Sequence, residues 1–163
     1  MRCRKVVKDI YCWVMAILCI GLIWLGWYMV GLTFYDQWYH DSLMLHKSLG
    51  MIVLLLVVVK GGWTLYDRVE QFPSPSIPIN RKYSHITFYL LMVAITVSGY
   101  LISTSAGASI SILGIFGMPP ILTVSEGARD IAIGLHYYLS YGTAMLVVVH
   151  GGTRLQSRLF ARR

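Results

Sequence analysis

Histidine is the side chain through which this sequence can do most chemistry. It has five: His40, His46, His85, His136 and His150. His136 and His150 stand 14 residues apart. At about 100° per residue that is roughly 1400°, some 40° short of four turns, so on a helix they share a face about 21 Å apart along it. Lys60 follows His46 at the same interval. Imidazole is a good axial ligand for haem iron, and such sites are built from facing helices of a bundle. Histidines paired at two depths therefore predict two stacked redox metals. A haem with imidazole on both faces has no open position, which suits electron transfer better than oxygen binding. The plainer reading is hydrogen bonding between helices with no cofactor. Four histidines at two matching depths favour haem over it.

The elements that must position these residues are long and apolar. The chain has 163 residues, 56% of them hydrophobic and only 13% charged, about half the charged share of an ordinary soluble domain. A globule of this size cannot bury so much apolar surface, so the solvent is a bilayer. Four stretches, about Ile10–Gly31, Leu43–Tyr66, His85–Thr104 and Ile131–Thr153, are each long enough to cross it. In lipid each must be a helix. The expected fold is all-α, an integral membrane four-helix bundle forming a single domain over residues 1–163. On these helices His46 and His136 fall near one end, and His85, His150 and Lys60 near the other. His40 falls in the first connection and reads as an ordinary interfacial residue. The connection Asp67–Ser84 holds Phe72-Pro73-Ser74-Pro75-Ser76-Ile77-Pro78 and reads as an extended linker. The apolar patch Ile110–Phe116 is too short to span and is expected to lie in the interface or cap the bundle. Gly50, Gly134, Gly142, Gly151 and Gly152 offer room for a porphyrin.

Charge fixes the expected orientation. All but two of the 14 Lys and Arg fall on one side: Arg2, Arg4, Lys5 and Lys8, then Lys60, Arg68, Arg81 and Lys82, then Arg154, Arg158, Arg162 and Arg163. Lys47 and Arg129 are the exceptions. By the positive-inside rule both termini face the cytoplasm. The basic residues are then a topology signal and a contact with lipid headgroups, and a nucleic-acid partner is not expected. The three cysteines, Cys3, Cys12 and Cys19, make neither a zinc pattern nor a disulfide framework.

Leu45-His46-Lys47-Ser48-Leu49-Gly50, Lys60, His85 through Leu91, and Leu135-His136 with His150 resemble the bacterial cytochrome b561 family, over nearly the whole chain. That family includes the membrane superoxide oxidase and is related to cytochrome b subunits of hydrogenases and formate dehydrogenase. The resemblance implies two b haems, the outer held by His46 and His136. It implies that the inner is held by His150 and a histidine early in helix 1, before a Trp. Here that place reads Tyr11-Cys12-Trp13. Three arrangements stay open. Cys12 is the ligand, its thiolate lowering the potential; or His85 takes over; or the inner haem is five-coordinate or absent. Ser98-Gly99 departs from the family's Pro-x-Gly and is expected to change a helix kink, not the chemistry.

The function expected is transfer of electrons from a periplasmic donor to quinone across a bacterial inner membrane. The resemblance suggests superoxide as one donor. The outer loops carry Lys47 and Arg129 against Asp36, Asp41, Glu126 and Asp130, which is no funnel for an anion. A periplasmic redox protein is an equal candidate. The second reading is a haem-bearing anchor that relays electrons for a partner oxidoreductase, and the third a haem-free scaffold. Lys60 suits either a haem propionate or quinone oxygen, with Arg81 and Lys82 nearby, or snorkelling to headgroups.

Overall fold

In the computed structural model, residues 2–70 and 79–160 are described; for some side chains, His85 and His150 among them, only the helix they belong to is. Four helices run α1 (Arg2–Val30), α2 (Tyr39–Glu70), α3 (Ile79–Thr104) and α4 (Glu126–Phe160). Each contains a segment long and apolar enough to cross a membrane. The helices pack in chain order, α1 on α2, α2 on α3 and α3 on α4, while α1 touches α4 only lightly. The result is an all-α membrane bundle.

Much of its apolar surface faces outward. Trp13, Ile17, Trp24, Trp27, Tyr138 and Met145 are all exposed. In water this would be untenable, but lipid tails are as apolar as the side chains they meet. The buried core is correspondingly narrow: Met15, Cys19, Val53, Val57 and Met92, with the Cys19 thiol 3.6 Å from the Met92 sulfur. Hydrogen bonds cross this core to backbone carbonyls. Tyr11 donates to Leu56 O at 3.1 Å and Tyr89 to Val57 O at 3.0 Å.

The helices outrun the apolar stretches. α2 continues through Asp67–Glu70, and α3 already includes Ile79–Ser84, both expected in the extended linker. Arg, Lys and Glu are good helix formers, so the helix does not stop where the hydrocarbon does. The proline-rich centre of that connection, 71–78, lies outside the described residues. His40, expected in a loop, sits in the first turn of α2, its ring edge-on to Phe34 at 5.1 Å. Ser125 caps α4, accepting from the Ala128 N–H at 3.4 Å.

The patch Ile110–Phe116 contributes to a small antiparallel hairpin, β1 (Ile110–Ile112) with β2 (Phe116–Met118), an element the all-helical reading did not contain. Its turn puts Leu113 and Gly114 both at positive φ, 52° and 73°. That geometry matches the right-handed twist of paired strands. The hairpin packs on α2 and against the C-terminal part of α3, around Met51, Leu54 and Tyr100. Ser48, wholly buried, holds it there: its hydroxyl lies 2.8 Å from Met44 O and 3.0 Å from Ser111 O, and accepts from the Leu113 N–H at 3.0 Å. On the α3 side, Tyr100 Oη accepts from the Ile121 N–H at 2.7 Å, and Thr104 donates to Leu122 O at 3.1 Å.

Candidate functional site

α2 and α4 bring His46 and His136 together. Their ring centroids are 6.2 Å apart, with the planes at 78°. Each residue sits in the N-terminal part of its helix and is half-buried between the spans.

His136 is held by α3. Its Nδ1 lies 2.9 Å from the Ile95 carbonyl and 3.2 Å from Ser98 Oγ, and Ser98 Oγ itself donates to Ile95 O at 2.9 Å. A carbonyl has no hydrogen to give, so Nδ1 carries the proton and Nε2 keeps its lone pair. That is the tautomer a metal-ligating histidine needs, set by a backbone acceptor. Gly99 makes the approach possible: a Cβ there would lie 2.9 Å from His136 Cε1.

His46 sits differently. A Cβ on Gly26 of α1 would lie 3.3 Å from its Cε1 and 3.8 Å from its Nδ1. Nδ1 is buried and has no hydrogen-bond partner among the described residues. Among those residues no third His, Cys, Asp or Glu joins the two imidazoles to form a metal-binding cluster. A bare ion would thus have too few protein ligands. A metal bringing its own equatorial ligands needs only these two. His46 and His136, their ring centroids 6.2 Å apart and the His136 Nε2 left with its lone pair, would be the residues to hold such a group. The residues present fit a haem iron.

The remaining predicted residues are placed as follows. His85 and His150 belong to α3 and α4, and their side chains lie outside the described residues. Cys12 is exposed on α1. Lys60 is half-buried between α1 and α2, its ammonium 5.7 Å above the Tyr11 ring and 5.9 Å from that of Trp63, within cation–π reach.

One expectation needs correction and one needs extending. Gly50, Gly134 and Gly142, read as room for a porphyrin, have open space where a Cβ would go; Gly26 and Gly99, not singled out in the sequence, are the glycines that meet the histidines. Ser98 and Gly99 do more than shape a helix, because both touch His136. The Ile95 carbonyl carries no sequence signal, since every residue has one.

A family profile described as prokaryotic cytochrome b561 matches residues 10–160, nearly the whole chain. The chain belongs to the prokaryotic cytochrome b561 family. It is similar to cytochrome b561 homolog 2 of Escherichia coli (strain K12), 37% identical over 150 residues, or 90% of this chain and 79% of that protein. As a member of the cytochrome b561 family it is a bacterial membrane protein of electron transport, and the family implies binding of haem b.

Proposed function

We propose that this cytochrome carries electrons across the inner membrane, from a periplasmic donor to the quinone pool. The observation that carries the proposal is the facing pair His46 and His136, their ring centroids 6.2 Å apart. When bound, haem b supplies a one-electron iron couple. The chain supplies the rest. Nε2 of His136 is kept deprotonated by the Ile95 carbonyl. Apolar helices surround the pair, and among the described residues no Asp, Glu, Cys or third His joins it.

A second b haem toward the cytoplasmic side is proposed on His150, with His85 or Cys12 as its other ligand. Lys60 and its aromatic partners mark where a quinone headgroup could be met. By the positive-inside rule the basic residues support a cytoplasmic side for both termini, which would put the His46–His136 pair in the periplasmic half. Superoxide and a periplasmic redox protein are the two donor classes.

Haem per chain tests this directly, by pyridine haemochrome absorbance against protein concentration in the detergent-solubilised protein. The expected value is close to two. Close to one removes the inner site and the relay across the membrane. Close to zero removes the haem reading altogether.

A further inference from the structure

The two imidazoles that face each other are not held alike. His136 is fixed from α3 at three points: the Ile95 carbonyl, the Ser98 hydroxyl and the close wall of Gly99. Ser98 is itself buried and bonded to Ile95 O, so the ring sits in a closed hydrogen-bonded triangle. His46 has none of this. Its Nδ1 is buried without a partner among the described residues, and its neighbour on α1 is Gly26, which offers no side chain.

A histidine that donates its second N–H to a carbonyl is both oriented and made more basic, and losing such a partner typically weakens metal binding about 10–100-fold. From this difference we infer that His136 is the anchoring ligand of the outer haem and His46 the exchangeable one, so that small neutral ligands such as carbon monoxide or free imidazole enter on the His46 side. The inference rests on the haem reading above. Ser98 is then a positioning residue that acts through His136.

The test uses the full chain, purified in detergent, with haem content and spectra as readouts. His46→Gly is expected to keep its outer haem, turn high-spin and gain a carbon monoxide spectrum over wild type. Added imidazole then restores the low-spin spectrum. His136→Gly is expected to lose that haem, and imidazole does not bring it back. Gly26→Ala gives a second measurement in a milder background. Its methyl presses on His46, so haem is retained while the carbon monoxide-reactive fraction rises. Equal haem loss in both histidine variants with no carbon monoxide response in Gly26→Ala overturns the inference, as does retention of haem by His136→Gly alone. Wild-type protein without haem overturns the haem reading itself, which keeps the two failures apart.

Discussion

Ser48 joins Ser111 and Leu113 of the hairpin to α2 only two residues after His46. The hairpin and the candidate ligand thus share one stretch of α2. Ser48→Ala removes the hydroxyl that serves Ser111 O and Leu113 N. Leaving a buried polar group unsatisfied costs about 1–3 kcal/mol. The expected outcome is a lower apparent Tm and faster proteolysis between α3 and α4, read by thermal scan and limited digestion.

The hairpin turn makes a prediction of opposite sign. Leu113 sits at φ 52°, in the left-handed region that costs an L-residue roughly 1–2 kcal/mol. Leu113→Gly relieves that strain, although it loosens the unfolded chain as well. Gly114→Ala adds strain at φ 73°. The expected order of apparent Tm is Leu113→Gly at or above wild type, and Gly114→Ala below it.

Gly99→Ala places a methyl 2.9 Å from His136 Cε1, closer than side chains tolerate. The ring must turn away from Ile95 O and Ser98. Haem content is expected to fall well below that of Ser98→Ala, which leaves the Ile95 carbonyl in place. Pyridine haemochrome absorbance per chain distinguishes the two.

The loop between α1 and α2 is pH-sensitive in a defined direction. The Asp36 carboxylate accepts from both the N–H and the hydroxyl of Thr33, which holds its pKa below the usual carboxylate range. A depressed pKa means that the folded state favours the charged form. The contribution is therefore complete above the unfolded carboxyl pKa and is lost as pH falls through the lower folded value. The Thr33 amide resonance is expected to titrate below the ordinary carboxylate midpoint, and Asp36→Asn to abolish that titration.

Lys60 separates two roles. If its ammonium meets a quinone, Lys60→Gln lowers quinone reduction several-fold in proteoliposomes while haem content stays constant. An unchanged rate would assign the lysine to headgroups and to the faces of Tyr11 and Trp63.

The spans and the depth at which His46 and His136 meet were legible in the sequence, because lipid dictates helix and helix dictates periodicity. The extra turns at Asp67–Glu70 and Ile79–Ser84 were hidden, since leaving the hydrocarbon does not end a helix. The hairpin was hidden for another reason. Ile110–Phe116 is too brief for periodicity to separate strand from loop. What fixes His136 was least legible of all. Ser98, Gly99 and the Ile95 carbonyl matter only because α3 crosses α4 at that height, and no local pattern reports a crossing.

The His46–His136 pairing also sets an order of assembly. His46 leaves the ribosome in the second helix and His136 only in the fourth, while the groups that orient His136 arrive with the third. The nascent chain therefore makes three helices before both histidines of the pair exist. A cofactor held by both histidines would load only after the last span is synthesised.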